Sequence, residues 1–184
     1  AYDGIMAAYT TASRKNGKKY IPLIKNATQL HVIEKGALCG AVLDGSYNLT
    51  EANYKTSLQS MVDRVLITDK DGNQIGVVED TAAQQKYGVV QTVYKQEDGK
   101  DAQAEAKALL QTLEQTGTVP GCHGDSRAVS GYALIVREAA TGLFGKFYIE
   151  SDTHTFTDGK HEMALTLAFS NMMDEKEIEN QSKG

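Results

Sequence analysis

The side chains best suited to chemistry lie in one stretch near the end of the chain, residues 145–169. Two histidines and two acidic residues occur there at close spacing: Asp152, His154, His161 and Glu162. Imidazole and carboxylate groups bind zinc and transfer protons in hydrolytic enzymes. Whether these four groups converge depends on how the two strand-like halves of the stretch pair.

A turn at Asp158-Gly159 is predicted to divide this stretch into the two strands of a hairpin, because both residue types tolerate positive φ. The second strand alternates between large apolar residues and smaller or polar ones, the pattern of a half-buried strand. Its apolar face consists of Met163, Leu165, Leu167 and Phe169. The register decides which residues of the first strand share that face.

Two registers of this hairpin are open. A two-residue loop pairs Thr157 with Lys160 and places mostly polar residues of the first strand on the apolar face. A three-residue loop pairs Phe156 with Lys160 instead. This second register brings apolar residues onto that face, namely Phe147 and Ile149. Because a one-residue slip exchanges whole faces, burial favours the three-residue loop.

In the favoured register, the polar residues of the hairpin form only a partial ligand set. His154 faces Glu162, Asp152 lies two residues along the same face, and His161 points the other way. Three convergent ligands are therefore not assured. We interpret these residues as polar cross-strand neighbours on a solvated or partner-facing strand, and we expect no catalytic, metal or cofactor site.

A second group of reactive residue types occurs at 121–126, which reads Gly-Cys-His-Gly-Asp-Ser. Adjacent side chains on an extended chain point in opposite directions, so Cys122 and His123 are poorly placed as a nucleophile and its base. The glycines favour a tight loop before the next strand. Cys39 and Cys122 lack metal-ligand spacing, and we expect both to be free thiols.

Composition limits the classes of function. The 184 residues, 41% of them hydrophobic, suit one or two globular domains with a real core. The net charge of −5 argues against a dedicated nucleic-acid or anionic-membrane surface. No apolar run approaches the roughly 20 residues of a membrane span. The chain begins with Ala1 rather than Met, which we interpret as a processed or excised piece of a longer protein.

Hydrophobic periodicity predicts two or three helices. The first begins near Tyr2 and stops at Asn16, before a glycine. A short second helix is capped by Asp80. The third is capped by Asp101 and continues to Gly117.

Seven strands are predicted before the final hairpin, which adds two more. The stretch 36–45 is predicted to be a crossing or linker. The predicted strands before the final hairpin are 19–24, 29–34, 47–58, 61–68, 74–78, 89–96 and 130–138. Short turns favour antiparallel pairing, so the predicted class is α+β with an antiparallel barrel-like or sandwich-like sheet.

Several segments carry a family resemblance. The most specific is 145–156, Gly-Lys-Phe-Tyr-Ile-Glu-Ser-Asp-Thr-His-Thr-Phe, followed by 158–163. Weaker matches follow the same order and include 65–72, 78–80, 86–88, 106–110 and 124–125. Together they resemble the C-terminal part of the XkdQ/YqbQ family, phage tail baseplate hub proteins of PBSX-like prophages related to late control gene D proteins. The Cys122-His123 pair departs from the family's pattern.

The resemblance implies a structural role without catalytic residues or cofactors. It implies a homotrimeric baseplate hub that links the tail tube to the central spike of a contractile phage tail or tailocin-like particle. Tail tube, spike and other baseplate proteins would be its partners. The location would be the virion or phage-like particle, after assembly in the bacterial cytoplasm.

The resemblance also suggests a domain organisation. Residues 1–46 would end a preceding α/β domain, 47–172 would form a tube-like β-rich domain, and 173–184 would be a charged tail. Two other functions stay open. A metal-dependent cell-wall hydrolase module would use Asp152, His154 and Glu162. A carbohydrate- or peptide-binding module would need an exposed aromatic cleft, whereas most aromatic residues here fall in predicted core strands.

Overall fold

The computed structural model describes residues 2–177, which contain three helices and eleven strands. This confirms the predicted α+β class. In chain order the elements are α1 (Tyr2–Asn16), β1 (Tyr20–Lys25), β2 (Gln29–Glu34), β3 (Leu38–Asp44), β4 (Leu49–Ser57), β5 (Arg64–Thr68), β6 (Gln74–Glu79), α2 (Thr81–Tyr87), β7 (Gln91–Lys95), α3 (Ala102–Ala108), β8 (Glu114–His123), β9 (Ala133–Glu138), β10 (Leu143–Thr157) and β11 (Lys160–Ala168).

Backbone packing divides the chain into two compact units. The larger unit combines residues 1–55 with 116–184, and the smaller unit is 56–115. The larger unit contains the β1–β2 hairpin and a six-stranded sheet in the order β3-β9-β10-β11-β8-β4. The pairs β9–β10, β10–β11 and β11–β8 are antiparallel, whereas β3 runs parallel to β9.

The six-stranded sheet must curl, because its two edge strands are consecutive in the chain. Only residues 45–48 join β3 to β4, although these strands lie at opposite edges. Asn48 holds the connection: its side-chain amide donates to Val42 O at 2.9 Å and accepts from Asp44 N at 2.8 Å. The curled sheet is sandwich-like, and no sheet among the described residues closes on itself.

The core of the larger unit lies on the inner face of this curled sheet. Alternating residues of β11 contribute Met163, Leu165 and Leu167, as the sequence predicted. The other buried members of this cluster are Ala41, Leu43, Leu49, Val119, Cys122, Ala128, Leu134, Val136, Leu143, Phe147 and Ile149. Burial of this apolar surface is the main stabilising contribution, at about 25 cal/mol per Å².

Helix α1 ends where the sequence predicted. Gly17 adopts a φ of +72° and donates a backbone hydrogen bond to Ser13 O at 2.7 Å, which closes the last turn. The buried side of the helix contains Met6 and Thr10. Tyr9 contacts Tyr20 of β1, with ring centroids 4.9 Å apart. The helix therefore packs on the β1–β2 hairpin.

The charged segment predicted at 173–184 is described as far as Glu177, and its remaining residues lie outside the described part of the chain. The buried Thr10 hydroxyl accepts a hydrogen bond from Lys176 N at 3.0 Å. Further contacts between the segment and the start of the chain are Tyr2–Asp174, Arg14–Glu177 and Lys19–Glu175. The described part of the segment is therefore docked on the chain itself.

The smaller unit is a three-stranded sheet in the order β6-β5-β7, with α3 packed on one face. Val65 and Ile67 of β5 are buried against Ala106 of α3. The side chain of Asp80 caps α2 by accepting from Ala83 N at 3.0 Å, as predicted.

The opposite face of this small sheet carries a row of three aliphatic residues. Leu66 of β5 pairs with Val77 of β6 and with Val93 of β7. Val93 is 56% exposed and Val77 is 36% exposed. We call Val77, Leu66 and Val93 the aliphatic row.

Several sequence predictions about the elements are wrong; one is the loop at 121–126, part of which belongs to strand β8. Residues 36–45 were expected to be a linker, but 38–44 form β3, whose glycine at position 40 takes a φ of +83° next to a register shift. Helix α3 was expected to reach Gly117, but it ends at Ala108. Pairing overrides helix propensity there, because Gln111 exchanges backbone hydrogen bonds with Val62 and Gly117 pairs with Leu167.

The predicted domain boundary between residues 46 and 47 stays a prediction about the protein's organisation. In the structure β3, which precedes that boundary, pairs with β9 of the six-stranded sheet. Within residues 2–177, no helix has the length and apolar character needed to cross a membrane.

Candidate functional site

The polar residues singled out from the sequence lie at the tip of the β10–β11 hairpin. Asp158 and Gly159 adopt φ values of +50° and +74°, and they form a two-residue loop that pairs Thr157 with Lys160. Positive φ at both central residues is the preference of type I′ hairpin turns, which match the twist of the strands. The predicted three-residue loop is therefore wrong.

A β-bulge explains why burial pointed to the wrong loop. The pairing shifts between Ile149 and Ser151, so Glu150 is an extra residue on β10. Beyond the bulge, Ile149 pairs with Leu167 and both are buried. On the turn side of the bulge, Asp152 pairs with Leu165. One face of the hairpin therefore carries core residues at one end and polar residues at the other.

The resulting register brings the two histidines of the hairpin together. His154 pairs with Met163, and His161 pairs with Phe156, which places both imidazoles on the same face. His154 Nδ1 lies 2.8 Å from His161 Nε2, a hydrogen-bond distance. The expectation that His161 points away from His154 is wrong, because it depended on the three-residue loop.

Glu162 does not join this pair. It lies opposite Thr155 on the other face of the hairpin, next to His123 of β8. Glu162 and His123 line a separate small cavity of about 250 Å³ with Cys122. The predicted contact between His154 and Glu162 is therefore wrong, and residues 2–177 contain no group of three or more metal-binding side chains.

The histidine pair contacts the segment between β8 and β9, residues 124–132. His154 Nε2 lies 3.0 Å from Ala128 O and 3.5 Å from Asp152 Oδ2. Asp152 Oδ1 also accepts a hydrogen bond from Ser130 N at 2.6 Å. His154 and Asp152 are largely buried, with exposed side-chain fractions of 17% and 19%. Sequence reasoning missed these contacts, because the backbone groups that make them carry no residue-type signal.

His161 occupies a narrow space between two neighbours. The Phe156 ring stacks on it at a centroid distance of 4.1 Å and an angle of 16°. On another side lies Gly124, whose N–H donates to His161 O at 2.8 Å. A Cβ at position 124 would lie 2.2 Å from ring atoms of His161. Glycine is thus required by close approach at this position.

Asp125 and Arg127 add a charged pair beside the histidines. Arg127 Nε and Nη2 donate to the two carboxylate oxygens of Asp125 at 2.9 and 2.7 Å. These bonds hold the pKa of Asp125 below its ordinary value, and the charge of His161 contributes further in the same direction. The ring nitrogens of His154 and His161 therefore contact each other and the Ala128 carbonyl, and the described residues around them do not include a nucleophile paired with an adjacent base.

Cys122 is a buried core thiol, and both cysteines are free. Its side chain is 3% exposed, and burial raises its pKa to about 11. Because the thiolate is the reactive form, Cys122 stays protonated and inert at pH 8.

We expect iodoacetamide to label only the half-buried Cys39 in the native protein and both cysteines in guanidinium, measured by mass spectrometry of peptides. Native labelling of Cys122 at the rate of Cys39 would contradict this assignment.

Comparison with known proteins gives one family and a common fold. A family model described as YQBQ-like matches residues 1–168. The phage-like element PBSX protein XkdQ of Bacillus subtilis (strain 168) is 25% identical over 142 residues, which cover 73% of this chain and 44% of that relative. The chain thus spans less than half the length of this curated relative.

Two crystal structures share the fold. The 43 kDa tail protein of prophage MuSo2 from Shewanella oneidensis matches with a TM-score of 0.55 and 13% identity, over 81% of this chain and 49% of that one. The tail protein from Neisseria meningitidis MC58 matches with a TM-score of 0.51 and 15% identity, over 89% and 54%. At these identities the likeness concerns fold alone. The family match covers most of the chain, which therefore belongs to the YQBQ-like family.

Proposed function

We propose that this chain is part of a structural protein of a contractile phage tail or phage-tail-like particle. Its place would be the baseplate hub, between the tail tube and the central spike. The observation that carries this proposal is the fold, which two phage tail proteins share over 81% and 89% of the chain. Membership of a family matched over residues 1–168, and similarity to a protein of the phage-like element PBSX, support it.

The site at the hairpin tip supports a structural rather than an enzymatic role. His154 uses both ring nitrogens, on His161 and on the Ala128 carbonyl, and His161 uses its Nε2 on His154. Glu162, the third member of the metal set considered for a hydrolase, lies on the other face. A side chain whose polar atoms are occupied by internal hydrogen bonds has little left for a substrate.

Exposed apolar residues support a protein that contacts others. The aliphatic row lies on the open face of the small sheet, between polar positions that include Arg64 and Lys95. Apolar centres with polar rims are typical of protein interfaces. In the assembled particle we infer a homotrimer that binds tail tube, spike and other baseplate proteins, with 47–172 as its tube-like part. Its location is the virion or particle, and its assembly takes place in the bacterial cytoplasm.

The decisive measurement is the mass of the full-length protein in solution, alone and with the spike protein encoded beside it. Light scattering should give a trimer that forms a stable complex with the spike. A lysogen that lacks the gene should produce no complete tails by electron microscopy, and the wild-type gene should restore them. A monomer that ignores the spike would overturn the proposal. So would peptidoglycan hydrolysis with stoichiometric zinc that is lost in His154→Gln.

A further inference from the structure

We propose that His154 and His161 form a latch that holds one shared proton and opens when a second proton binds. The latch, defined as these two side chains with the Ala128 carbonyl, fastens the β10–β11 hairpin to the segment 124–132. Acid would therefore loosen this segment where it contacts the two histidines, while its backbone hydrogen bonds to Ile149 and the rest of the core of the larger unit stay in place. The inference does not depend on the proposed place in a phage tail, because it concerns groups within this chain.

The hydrogen bonds fix where the protons lie. A carbonyl oxygen only accepts, so His154 Nε2, 3.0 Å from Ala128 O, must carry a hydrogen. In neutral His154 the other nitrogen, Nδ1, is then an acceptor. The group 2.8 Å away, His161 Nε2, must therefore donate to it. At high pH both histidines are consequently Nε2–H tautomers.

One added proton leaves the contact intact. It can lie on His161 Nδ1 while Nε2–H still donates to His154. Alternatively, His154 Nδ1 becomes the donor and His161 Nε2 the acceptor. A charge-assisted hydrogen bond is stronger than a neutral one. The carboxylate of Asp152, 3.5 Å from His154 Nε2, favours this single positive charge.

A second added proton removes the bond. Both facing nitrogens, 2.8 Å apart, would then carry hydrogens, and neither could accept. Two positive rings with centroids 5.1 Å apart would also repel each other. One ring must move, either away from Ala128 or out of the space beside Gly124. Both movements break contacts between the hairpin and the segment.

The charged groups around the two histidines can balance the positive charge of only one added proton. Asp152 lies on the same strand as His154, and Asp125 faces His161 from the connecting segment. Arg127 neutralises Asp125 through two hydrogen bonds. The remaining titratable neighbours are Asp158 and Lys160 at the turn, and Glu162 and His123 on the opposite face. Asp152 is therefore the main negative charge beside the rings. Its single charge balances one added proton and leaves a second one unbalanced.

The first test reads the imidazole nitrogens of the whole chain by long-range proton–nitrogen NMR between pH 8 and 4.5, with EDTA present. We expect Nε2–H tautomers for both histidines at pH 8, and two coupled titration steps. An Nδ1–H tautomer of His154 at pH 8 would overturn the latch. Imidazole signals that differ between samples with and without EDTA would also overturn it, because a metal rather than a proton would then join the rings.

The second test follows amide hydrogen exchange at Gly124 and Ser130, corrected for the intrinsic pH dependence. Across the second titration step we expect exchange to accelerate about tenfold or more, the effect of losing one hydrogen bond.

His161→Gln keeps a donor to His154 Nδ1 and cannot titrate, so the acceleration should disappear in this variant. His31→Gln, on exposed β2, is the matched control and should behave as wild type. Unchanged wild-type exchange, or persistent acceleration in His161→Gln, would refute the latch. If His161→Gln fails to fold, the imidazole NMR spectra of the wild-type protein still test the latch.

Discussion

Replacing Leu167 with alanine is expected to lower the free energy of unfolding by about 2–5 kcal/mol. Leu167 is fully buried and pairs with Ile149 across the hairpin, at the centre of the curled sheet. Alanine would remove apolar contacts and leave a cavity that rigid strands on both sides cannot fill. Urea denaturation followed by far-ultraviolet circular dichroism measures the change.

The same substitution at Leu38 is the matched control. Leu38 also lies in the six-stranded sheet, on β3, but its side chain is 57% exposed. Leu38→Ala should cost less than about 1 kcal/mol, because little buried surface is lost. If Leu167→Ala and Leu38→Ala lowered the free energy of unfolding equally, the core could not lie on the face formed by β11 and the bulged part of β10.

The core face of β11 could be predicted because it depends only on local alternation. Met163, Leu165 and Leu167 recur at every second position, and the strand contains no irregularity of its own that would shift them. The same reasoning failed on β10, where Glu150 is the extra residue of a bulge. A bulge of this kind has no residue signature, so regular alternation gave the wrong loop length and paired His154 with the wrong neighbour.

For the candidate site, too, neighbouring residues in the sequence were enough to predict some features, whereas contacts between distant residues were not predicted. The sequence identified the residue types and the stretch that contains them. Convergence of His154 with His161 depended on the register, and the contact with Ala128 depended on a segment outside the hairpin. Strand β3 was missed for a related reason, because its pairing with β9 involves residues almost a hundred positions apart and overrides a glycine-rich local pattern.

Replacing Gly124 with alanine is expected to destabilise the larger unit by about 1–3 kcal/mol, the cost of overpacking a filled space. The new Cβ would lie 2.2 Å from Cγ and Cδ2 of His161, whereas real Cβ contacts under 3.0 Å essentially do not occur. The ring can move aside only by giving up its stacking on Phe156 and its contact with His154. The hydrogen bond to His154 should therefore be lost, and chemical denaturation with imidazole NMR measures both effects.

Gly121→Ala is the matched control for this steric argument. Position 121 has no heavy atom within 4 Å of the added Cβ, and neither glycine has a φ in the left-handed region. Gly121→Ala should therefore change stability by no more than about 0.5 kcal/mol. If both substitutions destabilise the protein equally, glycine is needed in this segment for backbone flexibility and not for the close approach of His161.

A double-mutant cycle separates the clash from every other effect of the added methyl group. His161→Ala removes the ring that the new Cβ would strike, so Gly124→Ala should cost far less in that background than in the wild type. The difference is the coupling energy between positions 124 and 161, and residues in direct contact typically show about 0.5–3 kcal/mol. A coupling near zero would mean that glycine is needed at position 124 for its backbone. A large coupling would mean that it is needed because His161 must lie against it to reach His154.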